Sequence, residues 1–299
     1  MRYGIIFIAL FSLHSAFGQR GQIEQFPKEE TAIIAAHAKI SRNASQEDNM
    51  RNNAALLSLL DSILHIPETF FYPFSDLPFG NVIAPDNAFR IFSWNMLHDN
   101  GEYENFAFIQ LNPRGEREFK VYRLHDKRSE IRNPGNAVGN PDKWFGAGYY
   151  SIIGVKRSNE VLYTLLGWNP NNLLTQQKVI EILRFRGNSI EFGAPLLEVR
   201  GRGLQRRVIF EYSARVSMLL RFETQKRMIV FEHLAPSSPH YEGLYEHYGP
   251  DGSYDAYGYG NNRWQFYSDI DVRNPRSGFK DYLPSFLRNI FYPDRTFDY

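Results

Sequence analysis

The chain has 299 residues, of which 43% are hydrophobic and 15% aromatic, and it contains no cysteine. The absence of cysteine excludes disulfide cross-links, a thiol nucleophile, a zinc site built on thiolates and the lipidated cysteine of a bacterial lipoprotein. The 34 basic and 33 acidic side chains nearly cancel, and neither sign is concentrated in one half. We therefore expect no nucleic-acid or anionic-lipid partner, and stability that comes from a hydrophobic core.

The N-terminal residues have the three parts of a secretory signal peptide. Arg2 precedes an apolar run from Gly4 to Leu13, and the small residues Ala16 and Gly18 are placed for cleavage after Gly18. The apolar run is much shorter than the roughly 20 residues of a membrane-spanning helix. We predict a cleaved leader over residues 1–18, export to the periplasm or the extracellular space, and no transmembrane segment in the mature chain.

Residues 19–70 are predicted to form a segment of two helices. Pro27 suits the first turn of the first helix, and acidic residues follow it. Ser45 with Asp48 fits a capping box at the start of the second helix, which carries a wide apolar band. Pro67 is predicted to end this helix.

Residues 71–299 are predicted to form a β-rich domain, because short aromatic and β-branched runs alternate with Gly, Asn, Asp and Pro. The predicted strands are 80–84, 88–96, 104–111, 118–124, 147–156, 160–168, 178–185, 189–197, 206–214, 216–223, 227–234, 253–259 and 263–270. We expect a mainly antiparallel β-sandwich or open barrel with the N-terminal helical pair packed on it, an α+β architecture.

The pattern within the strands predicts which faces are buried. In "NFAFIQL", Phe106 and Phe108 fall on one side, and apolar residues also occupy the other side. Strand 160–168 is likewise apolar on both sides, and the helices are the expected cover. Residues 206–223 alternate more cleanly. Their predicted core positions are Val208, Phe210, Tyr212, Val216, Met218, Leu220 and Phe222.

Several segments resemble those of a family of exported bacterial proteins. They include "YPFSDL", "IAPDNAFRIFSWN", "YTLLGWNPNN", "MIVFEHLAP" and "YGPDGSYDAYGY", in this order. With these segments the chain resembles exported proteins of uncharacterised function from Bacteroidota-type bacteria, from about residue 66 to residue 275. The resemblance implies export and a cell-envelope setting. It implies no catalytic residues, since that family has no assigned activity.

The stretch "HLAPSSPHYEGLYEHYGPDGSYDAYGYG", residues 233–260, is unusually rich in Tyr, His and carboxylates. Tyrosine offers a flat apolar face with a polar tip, which suits stacking on sugars or gripping a peptide. The candidate ligand-binding residues are Tyr241, Tyr245, Tyr248, Tyr254, Tyr257 and Tyr259. Packing against the sheet is the first interpretation of these rings, and ligand recognition is the second.

The same stretch offers an alternative set of metal ligands. Two histidines and a carboxylate can hold a catalytic metal ion. The candidates are His233, His240 and His247, with Glu242, Glu246, Asp251 and Asp255. Their spacing matches no established ligand motif, and the HExxH pattern is absent from the sequence. His233 shares a strand face with Ile229 and Phe231, where a hydrogen-bonded interior histidine is expected.

The segment "RGRGLQRR", residues 200–207, is locally basic. It lacks the third glycine and the strand-to-helix context of a dinucleotide-binding loop. We interpret it as a solvated loop between strands, with an anionic envelope polymer as the alternative partner.

No sequence feature is specific enough to name a reaction. The leading hypothesis is an exported, non-catalytic binding or structural protein of the bacterial cell envelope, without a cofactor, that contacts envelope glycan or protein through residues 233–260. The alternative is a metal-assisted hydrolase of envelope polymers that uses the histidines and carboxylates of the same stretch.

Overall fold

A computed structural model describes residues 26–271 of the chain, and the predicted signal peptide over residues 1–18 lies outside them. The chain divides into two compact units, one ending at Pro78 and one beginning at Phe79. Within the described range, no helix combines the length and the apolar character needed to cross a membrane.

The first unit contains the two predicted helices. Helix α1 spans Phe26–His37, α2 spans Gln46–Leu64, and a 3-10 helix follows at Pro67–Phe71. Ser45 caps α2 as predicted, because its hydroxyl accepts the backbone N–H of Asp48 at 3.1 Å. Within this unit the buried carboxylate of Glu30 on α1 accepts hydrogen bonds from the chain that follows the 3-10 helix. Its donors are the Tyr72 hydroxyl at 2.7 Å and the Asp76 backbone N–H at 2.8 Å.

Residues 79–271 form three sheets. The first has the order β1-β2-β3-β4, with β1 Gly80–Ile83, β2 Phe89–Leu97, β3 Tyr103–Leu111 and β4 Val121–His125. The middle sheet has the order β11-β7-β6-β5. Its strands are β5 Gly148–Arg157, β6 Glu160–Asn169, β7 Thr175–Arg186 and β11 Arg207–Ser213. A short strand, β8 Ser189–Phe192, also pairs with β7.

The third sheet has the order β10-β9-β15-β14-β13-β12. Its strands are β9 Leu197–Val199, β10 Gly203–Gln205, β12 Leu220–Glu223, β13 Met228–Pro236, β14 Tyr248–Gly260 and β15 Arg263–Tyr267. The β9–β15 pair is parallel, and the other strand pairs of the described chain are antiparallel. The predicted mainly β, antiparallel class is therefore confirmed.

The middle sheet is buried on both faces. On β6, Tyr163 and Leu165 pack in one hydrophobic cluster with residues of the first sheet, whereas Leu162 and Leu166 pack in another cluster with residues of the third sheet. The three sheets thus stack in layers, which is the sandwich form of the prediction. The sequence correctly indicated that this strand is covered on both sides, although helices were the expected cover and the observed cover comes from the two neighbouring sheets.

Some predicted strands differ in extent. The predicted strand 189–197 is interrupted at Gly193, whose φ of 95° and close approach to the Ala137 carbonyl require glycine. This break places β8 and β9 in different sheets. The predicted strand 216–223 begins only at Leu220, and Val216 is exposed, so the core position predicted for Val216 is wrong.

Candidate functional site

The pairing of β13 with β14 is irregular around His233. The register shifts between Glu232 and Leu234 of β13, so that His233 alone lies opposite residues 251–253 of β14. Gly252 permits this bulge because it adopts a φ of 92°, which side chains with a Cβ rarely adopt. A bulge changes the local twist of a strand and the direction of its side chains.

The bulge fixes the carboxylate of Asp251. Its Oδ1 accepts the backbone N–H of Ser253 at 2.9 Å and the Ser253 hydroxyl at 2.7 Å. These hydrogen bonds, together with the nearby charge of His233, lower the pKa of Asp251. Asp251 is therefore an ionised hydrogen-bond acceptor at neutral pH, with a fixed orientation.

His233 forms a hydrogen-bonded pair with a buried carboxylate. Its Nδ1 lies 2.8 Å from Oδ2 of Asp255, and Oδ1 of Asp255 accepts the backbone N–H of Asp269 at 3.0 Å. The hydrogen bond to Asp255 raises the pKa of His233, although burial partly opposes this effect. The hydrogen bond expected for His233 is confirmed, but the side chain is half-exposed and not interior.

Asp251 also lines a pocket of about 460 Å³ at the ends of β11, β13 and β14. A 3-10 turn at Tyr245–His247 forms one wall, and the backbone N–H of Ser237 donates to the carbonyl of His247 at 2.9 Å. Arg215, which follows β11, lines the pocket, and its guanidinium has no partner among residues 26–271. The pocket thus presents a cation and a fixed anion to solvent.

Aromatic rings pack against two residues that line this pocket, His247 and Tyr248. The Tyr241 ring stacks on the His247 ring, with centroids 4.0 Å apart and an interplanar angle of 23°. The Tyr245 ring packs against the Tyr248 ring, with centroids 5.2 Å apart, and 46% of the Tyr245 surface stays exposed. The hydroxyl of Tyr248 accepts the backbone N–H of Gly243 at 3.0 Å. This hydrogen bond fixes the Tyr248 ring relative to the loop 237–247, which connects β13 and β14. Of the six candidate tyrosines, Tyr248 therefore lines the pocket, whereas Tyr241 and Tyr245 contact the lining residues His247 and Tyr248.

The other three candidate tyrosines lie along β14 and pack. Tyr257 is buried in the cluster between the middle and third sheets, whereas Tyr254 packs on the opposite face of β14. Tyr259 is half-buried, and its hydroxyl donates to the carbonyl of Lys156 at 2.8 Å. Packing is thus the observed role of Tyr257. Tyr241 and Tyr245, in the loop 237–247 between β13 and β14, and Tyr248 remain candidates for ligand recognition.

The three histidines of the alternative metal set do not converge. His233 pairs with Asp255, His247 stacks on Tyr241, and His240 is exposed on a separate 3-10 turn. Over residues 26–271, no group of three or more His, Asp or Glu side chains is placed to hold a metal ion. The set His233, His240, His247, Glu246 and Asp251 therefore does not form a coordination site in this structure.

Sequence reasoning missed part of the pocket. Arg215 and Ser213 lie more than thirty positions before Tyr248 in the sequence, and no local pattern connects them to it. The exposed Val216 was expected in the core, although it lies at the pocket. The sequence does contain one local indication of this site, the turn sequence "GPDGS" at residues 249–253, where the bulge lies.

Comparison of the chain with protein-family models, with curated proteins and with solved structures finds no match. The resemblance to exported bacterial proteins and the expected export therefore stay predictions.

Proposed function

We propose that the protein is an exported, non-catalytic binding protein of the bacterial cell envelope, and that it binds glycan in the pocket at the ends of β11, β13 and β14. The observation that carries the proposal is the Tyr248 ring in a pocket that also holds the Asp251 carboxylate and the Arg215 guanidinium, which has no partner among residues 26–271. The exposed ring of Tyr245 packs against Tyr248 and extends this aromatic surface. The leader-like N-terminal sequence supports export.

The chemistry of the pocket suits a sugar. A pyranose ring presents an apolar face of C–H groups, which stacks on an aromatic ring, and an edge of hydroxyl groups, which needs donors and acceptors. Tyr248 supplies a ring face in the pocket, and Tyr245 adds an exposed ring beside it. Asp251 supplies a fixed acceptor, and Arg215 supplies donors. The pocket volume of about 460 Å³ falls within the range of small-ligand sites.

The rings are also held in place before any ligand binds. The Tyr241–His247 stack and the hydrogen bond from Gly243 to Tyr248 restrict the loop. A preorganised surface loses less conformational entropy on binding than a mobile one, so more of the contact energy appears as affinity.

An array of envelope glycans tests the binding proposal. We expect the wild-type protein to bind a subset of the glycans, and the double variant Tyr245→Ala, Tyr248→Ala to lose about tenfold or more in affinity for them. Tyr254→Ala, on the opposite face of β14, is the matched control and should keep wild-type affinity. Equal binding by wild type and the double variant would refute the proposal, as would binding of protein partners but of no glycan.

Sequencing the N-terminus of the protein purified from its native host tests export separately. We expect the mature chain to begin at Gln19. A mature chain that retains residues 1–18 would contradict the predicted export.

A further inference from the structure

A second pocket, of about 430 Å³, lies between the loop 132–136 and the hairpin formed by β9 and β10. The loop is fixed to the start of β11, because the carbonyl of Gly135 accepts the backbone N–H groups of Arg206 and Arg207 at 2.8 and 3.1 Å. This pocket shares no lining residue with the pocket at the ends of β11, β13 and β14.

The backbone around this second pocket is held by Gln205. The Gln205 side chain is buried, and its Nε2 donates to the carbonyl of Arg202 at 2.7 Å. A Cβ atom at Gly135 would lie 3.0 Å from Oε1 of Gln205, so the loop and the hairpin are in close contact. The backbone of Arg202 is thereby positioned, while its side chain is exposed at the pocket.

The pocket contains one arginine without a paired carboxylate among the described residues, and two further arginines lie next to lining residues in the chain. Arg202 lines it, Arg132 precedes the lining residue Asn133, and Arg200 lies in the hairpin turn. All three arginines are exposed, and none has a side-chain partner within the described part of the chain.

The neighbouring carboxylates do not neutralise these arginines. Glu198 on β9 pairs with Arg263 at 3.1 Å, and Glu181 pairs with Arg207 on the floor of the pocket. The charge of Arg207 is thus balanced inside the core. The charges of Arg200 and Arg202 are left without an anion.

We propose that this pocket binds an anionic group, a carboxylate or a phosphate, carried by a small polar molecule such as an acidic sugar. The guanidinium of Arg202 is the principal contact, since arginine binds both anions through two parallel hydrogen bonds. The side-chain amides of Asn133 and Asn136 line the pocket and add donors for the remaining oxygens. The inference is independent of the proposed glycan function, because it rests on different residues.

Calorimetric titration of the full mature chain tests this inference. Glucuronic acid supplies a carboxylate, glucose 6-phosphate supplies a phosphate, and glucose is the neutral probe. We expect at least one acid to bind, with an affinity that falls as salt rises, and glucose not to bind in this pocket. Binding of neither acid would overturn the inference.

Two matched variants locate the binding. Arg202→Gln removes the principal contact and should weaken binding of the acid about tenfold or more. Arg186→Gln, at an exposed arginine that ends β7 and has no partner among the described residues, makes the same charge change and should leave affinity unchanged. An unchanged affinity in Arg202→Gln, or equal losses in both variants, would overturn the inference. Loss in Arg202→Gln alone would support it even if the glycan array is negative.

Discussion

Glu181 and Arg207 lie opposite each other on β7 and β11 and form an ion pair with no exposed side-chain surface. Nε of Arg207 donates to Oε1 of Glu181 at 2.7 Å, and the hydroxyl of Tyr149 donates to Oε2. Tyr149 in turn accepts the indole N–H of Trp144 at 2.9 Å. Burial, and then the charge of Glu181, raises the pKa of Tyr149 well above its usual value, so its hydroxyl stays a donor. A complete polar network is therefore enclosed in the core.

Removing one partner of this pair should strongly destabilise the fold. Arg207→Met leaves Glu181 charged and buried, and we expect a loss of about 3–5 kcal/mol in the free energy of unfolding, measured in urea. The double variant Glu181→Leu, Arg207→Met leaves no unpaired charge at this position and should lose less than the sum of the single changes. Arg221→Ala breaks the largely exposed pair with Glu223 and should cost less than about 1 kcal/mol. A similarly small loss for Arg207→Met would contradict the prediction.

Gly146 is expected to tolerate no side chain. Its φ is 81°, and a Cβ atom there would collide with the carboxylate of Asp126. That carboxylate accepts the backbone and side-chain N–H groups of Asn105, each at 3.0 Å. We expect Gly146→Ala to lower the free energy of unfolding by about 2 kcal/mol or more, through backbone strain and displacement of Asp126.

The control for Gly146 is Gly154→Ala on β5. Gly154 has no atom within 4 Å of the position of a Cβ, and its backbone is not left-handed. Alanine there should change stability by less than about 1 kcal/mol, in the stabilising direction. Equal melting temperatures for the two alanine variants would show that the collision at Gly146 is relieved without cost.

The His233–Asp255 pair should make stability depend on pH. The pKa of His233 is raised in the folded state above its usual value near 6.5, so the stabilising contribution is fully present below about pH 6.5. It is lost as the pH rises through the raised pKa. The charged groups that act on His233 are Asp255 and, more weakly, Asp251.

Replacing His233 tests this dependence. We expect the stability advantage of wild type over His233→Gln, measured in urea, to shrink as the pH rises from about 6 to about 8.5. His240→Gln changes an exposed histidine that has no carboxylate contact among the described residues, and it should show no such trend. A constant advantage of wild type across this pH range would rule out the proton linkage.

Truncation of two tyrosines of the same stretch should destabilise the fold to very different extents. Tyr257 is 2% exposed between the middle and third sheets, and Tyr257→Ala is expected to cost about 3–5 kcal/mol in unfolding free energy. Tyr245 is 46% exposed, and Tyr245→Ala should cost less than about 1 kcal/mol. Thermal unfolding of both variants measures the contrast. A comparable loss in Tyr245→Ala would mean that the loop ring also supports the fold.

Local patterns in the sequence were enough to predict the helices and most strands. The capping hydroxyl of Ser45, the proline at position 67 and the apolar run in "NFAFIQL" act over a few residues, so the chain carries them wherever it packs. The missed strand Gly203–Gln205 and the break at Gly193 depend on contacts with distant chain segments, and no local pattern marks them.

The sequence by itself determined the β-rich class, the two N-terminal helices and the concentration of aromatic and charged groups in residues 233–260. Only the tertiary structure decided what those groups do. It stacked three sheets, paired Glu181 with Arg207, turned His233 toward Asp255 at a bulge, and brought Arg215 to the pocket that Tyr248 lines. Each of these contacts joins residues that are far apart in the chain. Pairing between strands depends on register, and packing between sheets depends on layer order, and composition and periodicity encode neither.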